Sequence, residues 1–302
     1  MQKLYAAGFN AWGQLRFDAQ TEDEPDDIAV FTQVLETRAI SHVQPSLSCT
    51  TVTTSDGTVV AGASQVQRTD GYLHFSEALN GQVVDNESSC TRFAGFPDLV
   101  QIVAYDVGFA ALGADGAVWT WGDPRFPECL GRDVALSPAA IPGRVTALDG
   151  LPTGLIVKLA GGGYVLAALT KGQDLYCWGA YPGRRSVVLQ GLTSDPSPVV
   201  ITAVSDTADA TDDLVEEADI VDVGVGDEHM IVLTARNSVC VIGSNANGQL
   251  GLGREWENAS GTDVSLSWIR VDNLSSGKGS RVTAVYAGPR SSFVVVAEKQ
   301  GE

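Results

Sequence analysis

The sequence has few of the residues and patterns that build reactive centres. Its 302 residues include only three histidines, and its five cysteines are widely spaced, with no C-x-x-C pair and no Cys/His cluster. Zinc sites and disulfide frameworks both depend on such spacing. We therefore expect no metal, no cofactor and reduced thiols, as in a cytoplasmic or nuclear protein.

Basic residues and long apolar runs are also lacking. The chain has 19 Lys and Arg against 37 Asp and Glu, which gives a formal net charge of −18. Because nucleic acids and anionic membranes are bound through cationic side chains, direct binding to either is not expected, and a basic protein partner suits the chain better. No apolar run reaches 18 residues and the start turns polar too early for a signal peptide, so we expect neither a membrane span nor secretion.

What the sequence does contain is an internal repeat. The stretch GSNANGQLGLG at residues 243–253 has a looser copy, GFNAWGQLRF, at residues 8–17. The fuller unit, from Ala218, consists of an apolar strand, a Gly-x-x-His turn, two further strands around a polar turn, and a glycine-rich exit. The glycine that ends the third strand recurs every 54 to 64 residues, at Gly8, Gly62, Gly122, Gly179 and Gly243. That period fits a four-stranded unit with loops.

Hairpins are predicted inside these units. Asp56-Gly57 and Asp115-Gly116 are pairs that favour tight turns, and β-branched, aromatic or small residues flank them. The predicted hairpin arms are Thr50–Thr54 with Thr58–Ala61, and Phe109–Leu112 with Ala117–Trp121. Helical periodicity is weak elsewhere, but Asp27–Thr37 predicts a turn or two of helix.

The two ends of the chain complement each other. The last segment supplies two strands of a unit, Val282–Tyr286 and Phe293–Ala297, whereas the first supplies only a third strand and an exit. Open strand edges are unfavourable, and joining the two ends closes a ring. The prediction is an all-β fold: a β-propeller of five to seven blades, closed by pairing of its amino- and carboxy-terminal strands. Residues 1–302 form one domain, with acidic loop insertions near 18–30 and 203–219.

The unit resembles the repeat of the regulator of chromosome condensation (RCC-type) family. The resemblance is carried by Gly226-Asp227-Glu228-His229 with Gly243–Gly251, by Asn10, Gly13, Gln14 and Leu15, and by the pairs Trp121-Gly122 and Trp178-Gly179. It covers most of the chain in five units of uneven quality. The resemblance implies a propeller, often closed by terminal strands.

Function within that family varies. Its founding member is an exchange factor for the GTPase Ran that also binds nucleosomes. That protein has a basic amino-terminal tail, and no such basic segment is found in this sequence, so nucleosomal DNA binding is not expected. Small, degenerate members of the α-tubulin-suppressor type are accessory subunits. One partners a small metalloprotein in tRNA modification and diphthamide synthesis, and another partners a JmjC-type oxygenase.

This chain resembles those small members. The resemblance implies a non-enzymatic protein–protein interaction propeller that is an accessory or regulatory subunit, monomeric alone or in a heterodimer. The alternative is a guanine-nucleotide exchange factor for a Ran-like small GTPase, or a chromatin-associated regulator.

Two features that suggest chemistry have structural interpretations. His229 shares its slot with Tyr164 and Ser291, so it is predicted to be a turn residue bonded to the backbone rather than a catalytic base. The glycines of 248–253 are followed by strands, whereas a phosphate loop leads into a helix. Accordingly, no catalytic, cofactor or metal residues are predicted.

Basic and aromatic residues in loops predict a partner-binding surface, because Arg and aromatic side chains dominate interface hot spots. One group follows the third strands of two neighbouring units, and the other lies in the long loop after residue 253. The predicted contacts are Arg125, Phe126, Tyr181, Arg184, Arg185, Arg254, Trp256, Trp268 and Arg270. By contrast, Trp12, Trp119, Trp121 and Trp178 are predicted to pack between blades.

Overall fold

A computed structural model shows an all-β fold with short 3-10 turns in its described part. The structure describes residues 1–18, 25–63, 82–84, 90–92, 98–181, 189–201, 204–205, 219–256, 261–272, 274 and 279–298. Within these ranges, no helix has the length and apolar character needed to cross a membrane.

Strands account for nearly all of the regular structure. In the first half of the chain they are β1 (Gln2–Gly8), β2 (Ile28–Thr37), β3 (Ile40–Pro45), β4 (Cys49–Thr54), β5 (Gly57–Gly62), β6 (Gln82–Val84), β7 (Cys90–Arg92), β8 (Leu99–Tyr105), β9 (Gly108–Gly113), β10 (Val118–Gly122) and β11 (Gly143–Arg144). In the second half they are β12 (Ile156–Gly162), β13 (Val165–Thr170), β14 (Leu175–Gly179), β15 (Ser197–Val199), β16 (Val204–Ser205), β17 (Ile220–Val225), β18 (His229–Thr234), β19 (Val239–Ser244), β20 (Val264–Arg270), β21 (Arg281–Gly288) and β22 (Ser291–Ala297). Two 3-10 turns, Pro127–Leu130 and Thr146–Leu148, lie between β10 and β12.

Apart from the hairpin β6-β7, these strands form the five blades of a β-propeller. The chain also divides into two compact units: Met1–Gln65, Arg184–Gln190 and Val200–Glu302 form the first, and Val66–Gly183 with Gly191–Val199 the second. The first unit holds the sheets β3-β4-β5, β17-β18-β19-β20 with β16 beside β20, and β21-β22-β1-β2. The second holds β8-β9-β10-β11, β12-β13-β14-β15 and the hairpin β6-β7. The predicted fold class is thus confirmed, with five blades in the described residues.

The two chain ends share one blade, as predicted. Every residue of β1 pairs with β22, from Gln2 opposite Ala297 to Gly8 opposite Ser291. β21 supplies the first strand of this blade, and β2 pairs with the other edge of β1. The amino-terminal strand is therefore the third strand of a blade begun by the carboxy-terminal residues.

The helix predicted in Asp27–Thr37 is wrong. Residues Ile28–Thr37 form strand β2, antiparallel to β1. Phe31 is buried in the core while its neighbours are largely exposed, so the strand presents one face to the interior. Pairing with β1 satisfies its backbone, and this tertiary contact overrides the local pattern.

The predicted hairpins are confirmed as β4-β5 and β9-β10. The turn after β9 is closed by hydrogen bonds from Gly116 N to Gly113 O and from Gly113 N to Ala117 O, with Gly116 at a positive φ. Gln173 and Asn237 hold the same left-handed position in the turns after β13 and β18. Such a bulged turn matches the twist of the strands that it joins.

The glycine that ends each third strand has one structural cause. At all five positions a Cβ would collide with the main-chain carbonyl that precedes the facing strand. The carbonyls belong to Arg290, Ser48, Val107, Tyr164 and Glu228 for Gly8, Gly62, Gly122, Gly179 and Gly243, respectively. The glycine recurs with this period because two backbones approach closely at the same place in every blade.

Hydrophobic cores lie between neighbouring blades of each unit. In the second unit, the core of β8–β15 includes Leu112, Leu159 and Trp178. In the first, one core is built around Ile231 and Val294, and another joins the terminal blade to β3 and β4. Cys49, Cys129, Cys177 and Cys240 are free thiols.

First strands of neighbouring blades are also linked by side chains. Gln101 of β8 donates from Nε2 to Leu159 O of β12 at 2.7 Å and accepts from Leu159 N at 2.8 Å. In the first unit, Asp222 of β17 accepts from Val285 N of β21 at 2.9 Å. Each side chain forms hydrogen bonds with main-chain groups on the edge strand of the next blade, which would otherwise lack partners there.

The acidic insertions fall largely outside the described residues. The insertion predicted near 18–30 reaches into β2, which begins at Ile28, and residues 19–24 of it are outside the described ranges. Of the insertion predicted near 203–219, only 204–205 and 219 are described.

Candidate partner-binding surface

The asparagine of the glycine-rich exit folds that loop back on itself. Asn10 Oδ1 accepts a hydrogen bond from Leu15 N at 2.9 Å, and Asn245 Oδ1 accepts from Leu250 N at 3.0 Å. All four residues are buried. The two copies of the motif therefore have the same internal bond, five residues along the chain.

The glutamine of the motif is used in the same way. Gln14 Oε1 accepts from Trp12 N at 3.0 Å, and Gln249 Oε1 accepts from Asn247 N at 2.8 Å. Because these amides bind the loop's own backbone, the glycine-rich exit is a structural turn. This agrees with the interpretation that it does not cradle a phosphate.

Asp27 connects the two copies. Its Oδ1 accepts from Asn10 N at 2.9 Å, and its Oδ2 accepts from Asn247 Nδ2 at 2.9 Å. The guanidinium of Arg254 reaches the Asp27 carbonyl at 3.3 Å and the Asp26 carboxylate at 3.7 Å. The exit loops of two blades are thus tied together through one carboxylate.

His229 is a structural residue. Its imidazole is fully buried, and Nε2 donates to the carbonyl of Ser291 at 3.2 Å. Nδ1 is buried without a hydrogen-bond partner. Burial lowers the pKa of His229 to about 4, although the bond to Ser291 opposes the shift. The predicted backbone bond is confirmed, but His229 is the first residue of strand β18 and not a turn residue, because it pairs with Gly243 of β19.

The slot assigned to His229 needs one correction. The residue opposite the third-strand glycine is Ser291 in the terminal blade and His229 in the blade of β17–β20. In the blade of β12–β15 it is Val165, and Tyr164 lies one residue earlier. Across the five blades this position is filled by five different residue types, one of which is Gly108, so it does not require an imidazole.

Three buried thiols also lack the properties of nucleophiles. Desolvation raises the pKa of Cys129 to about 11 and that of Cys240 to about 12, and burial also raises the pKa of Cys177. A cysteine reacts as its thiolate, so these three side chains remain unreactive near neutral pH.

The predicted surface of the second unit is formed in part. Arg125 follows β10, its side chain is 79% exposed, and its guanidinium lies 5.8 Å from the Phe126 ring centre. Phe126 packs at 5.4 Å against Tyr164, from the turn before β13. Tyr181, after β14, is half-buried, and Arg184 and Arg185 lie outside the described residues. The structure thus places the exposed Arg125 against Phe126, which is itself partly buried against the core of this unit.

The predicted surface of the first unit is smaller than expected. Arg254 is 65% exposed and Trp256 packs against the core around Ile231. Trp268 and Arg270 were predicted in a loop, but both lie in strand β20, and Trp268 is only 5% exposed. Pairing of β20 with β19 buries this indole, which removes it from the surface.

Carboxylates accompany the arginines of this set. Asp123 binds Arg125 through hydrogen bonds that lower the pKa of Asp123 and raise that of Arg125. Arg270 donates from Nε to Asp272 Oδ1 at 2.8 Å. These arginines therefore offer planar guanidinium surface more than net positive charge.

One exposed residue was missed by the sequence reasoning. Trp121 and Trp178 are buried, as predicted, but Trp12 is 54% exposed, so its predicted packing role is wrong. Trp12 occupies the motif position held by Asn247 in the fuller copy. A polar residue at the equivalent position was the available sign that this slot faces solvent.

Comparisons with known proteins agree with the repeat. No family model matches the chain. It is 25% identical over 157 residues to the human and mouse proteins called Regulator of chromosome condensation, covering 51% of this chain and 33% of each relative. It is 29% identical over 141 residues to the human probable E3 ubiquitin-protein ligase HERC3, covering 47% of this chain and 12% of that protein. The chain thus matches a third or less of these relatives.

Solved structures show the same fold. Human WBSCR16 has a TM-score of 0.50 at 18% identity, over 98% of this chain and 68% of that one. Yeast RCC1 (Prp20) bound to Kap60 has a TM-score of 0.52 at 15% identity, over 91% and 58%. Prp20p from Saccharomyces cerevisiae, described with its binding to Gsp1p and histones, has a TM-score of 0.51 at 16% identity, over 96% and 64%.

Proposed function

We propose that this chain, an RCC1-like β-propeller, is a non-enzymatic protein–protein interaction module and an accessory or regulatory subunit of a larger complex. The observation that carries the proposal is the use of side chains in the exit loops. Their Asn and Gln amides bind the loop backbone and are buried, whereas Trp12, Arg125 and Arg254 are mostly exposed. Exposed Trp and Arg on rigid loops have the composition of interface hot spots.

The solved relatives support a protein as the ligand. Yeast Prp20 is bound to Kap60 in one structure and is described with Gsp1p and histones in another. For this chain we propose a single main partner, either a small metalloprotein of tRNA modification and diphthamide synthesis or a JmjC-type oxygenase. The proposed setting is the cytoplasm or nucleus.

The test is capture of the tagged full chain with its partners from native extract, followed by quantitative mass spectrometry. We expect one protein recovered in near-stoichiometric amount and lost after substitution of exposed exit-loop residues such as Arg125→Ala. A variant of the exposed Leu136→Ala serves as a matched surface control, because this side chain is 86% exposed outside the predicted contacts. If no protein is recovered above the level of an untagged extract, the proposal fails.

Exchange-factor activity is the alternative function, supported by the similarity to Prp20p. It predicts faster release of labelled GDP from a Ran-like GTPase in the presence of catalytic amounts of this chain. An acceleration in that assay would replace the accessory-subunit proposal, and an unchanged release rate would contradict the alternative.

A further inference from the structure

Trp12 differs from the other tryptophans of the chain. All six lie among the described residues, and Trp12 is the only one more than about a third exposed. Its loop is nevertheless held firmly, because its N–H donates to Gln14 Oε1 at 3.0 Å. An exposed indole carried on an ordered backbone requires little main-chain ordering on binding, which favours a contact role.

A second exposed apolar residue is held by the same Gln14 side chain. Gln14 Nε2 donates to Phe9 O at 2.8 Å and to Leu47 O at 2.9 Å. Leu47 is in the turn between β3 and β4, and 42% of it is exposed. The oxygen and the nitrogen of one carboxamide thus bind the main chain of Trp12 and of Leu47, which belong to neighbouring blades.

The connection that contains Trp12 is acidic in sequence. The Asp26 side chain is 85% exposed, and the Asp26 carbonyl accepts from Asn10 Nδ2 at 3.0 Å, which places it on the same loop. By sequence, the connection from Phe9 to Asp27 contains six carboxylates and one basic residue, Arg16. The whole chain carries a net charge of −18, which attracts cations over a longer range.

We propose that Trp12, Leu47 and Asp26 form a docking surface, the Trp12 surface, for a lysine- and arginine-rich segment of a protein partner. A guanidinium or ammonium group of the partner lies over the exposed indole, where cation–π attraction acts. An aliphatic side chain of the same segment covers Leu47. Asp26, which Arg254 reaches at 3.7 Å, pairs in addition with a basic group of the partner. This inference rests on the proposed function, since it names the surface and the chemistry through which the protein partner is held.

The direct test uses two labelled twelve-residue peptides and the purified full chain. One peptide repeats Lys-Leu-Arg-Ser, and the other replaces its basic residues with Glu and Asp. Fluorescence anisotropy is expected to show binding of the basic peptide only. Trp12→Ala is expected to weaken it by at least about tenfold, Leu47→Ser by severalfold, and Trp12→Tyr to retain most of the affinity.

The controls separate this site from general charge attraction and from misfolding. Leu136→Ala removes an even more exposed apolar side chain outside this surface and should leave the affinity unchanged. Trp12→Ala keeps the backbone N–H that binds Gln14, so its thermal midpoint should match that of the wild type. Equal binding by Trp12→Ala and the wild type, binding of the acidic peptide, or no binding of the basic peptide would each overturn the proposal.

Two further measurements assign the occupant. If sedimentation shows a dimer that is lost in Trp12→Ala, the surface serves self-association and the inference is wrong. Capture from native extract is then repeated with Trp12→Ala. Retention of the same partner would overturn the inference and leave the proposed function intact, whereas failure of the wild type to capture any protein would refute the function itself.

Discussion

The side chain of Asn247 donates a hydrogen bond to Asp27, a residue 220 positions earlier in the chain. The same carboxylate accepts from the backbone of Asn10, in the other copy of the glycine-rich motif. The two copies are therefore parts of one polar cluster that joins the exit loops of neighbouring blades. Asp27 is the last residue of the acidic connection 9–27, and its carboxylate stabilises the two exit loops.

We expect Asp27→Ala to destabilise the protein by about 2–3 kcal/mol, because the Asn10 N–H loses its charged acceptor. Asp26→Ala is the matched control and should change the unfolding free energy little, since its exposed carboxylate is used only in a surface ion pair. Urea unfolding measures both. Equal effects of the two substitutions would show that the Asp27 bridge contributes nothing.

Gly243→Ala is predicted to cost about 3 kcal/mol or more. Gly243 has φ of +108° and its Cβ would collide with the Glu228 carbonyl. Gly253 has a similar φ of +101°, but no atom lies near its missing Cβ. Gly253→Ala thus isolates the backbone strain, and chemical denaturation should show the larger loss for Gly243→Ala. The same loss for both would contradict a steric origin of the repeat glycine.

The buried imidazole of His229 predicts a pH dependence of stability. Its folded pKa of about 4 lies below the ordinary value of 6.5, so the unfolded chain binds a proton first as the pH falls. Stability from this group is therefore complete above about pH 6.5 and decreases toward pH 4, by about 3 kcal/mol in all. In urea titrations, His229→Gln should lose less stability than the wild type between pH 7 and pH 4.5. A difference between the two that does not vary with pH would refute this assignment.

The link between Gln101 and Leu159 predicts a local contribution to stability. Gln101→Ala leaves both polar groups of Leu159 without their side-chain partner, and we expect a loss of about 2 kcal/mol. Val100→Thr changes an exposed neighbour on the same strand and is expected to be nearly neutral. Hydrogen exchange at the Leu159 amide, measured by NMR, should accelerate in Gln101→Ala alone. Unchanged protection of that amide would show that another group covers the edge.

Much of the fold could be predicted from local patterns. The hairpins of β4-β5 and β9-β10 follow from Asp-Gly turns between β-formers, and these are short-range preferences. The shared terminal blade follows from comparing the two ends with the complete unit. The period of Gly8, Gly62 and the later glycines was visible because the same backbone contact is repeated in each blade.

The surface was harder to predict, because exposure depends on neighbours that are distant in sequence. The sequence predicts a loop for Trp268, yet pairing with β19 makes it part of a strand and buries it. It predicts packing for Trp12, yet this side chain is exposed. The local pattern of β2 predicts a helix, because the pairing of β2 with β1 is not encoded within its own ten residues.

The sequence by itself determined the repeat, the order of strands in each blade and the joining of the two chain ends. These depend on turn chemistry, on side-chain alternation and on glycines that no other residue can replace. Only the tertiary structure decided that Asp27 ties two exit loops together, that His229 is a buried imidazole with a lowered pKa, and that Trp12 is exposed. Those properties arise from hydrogen bonds and packing between residues up to 220 positions apart, which no local pattern specifies.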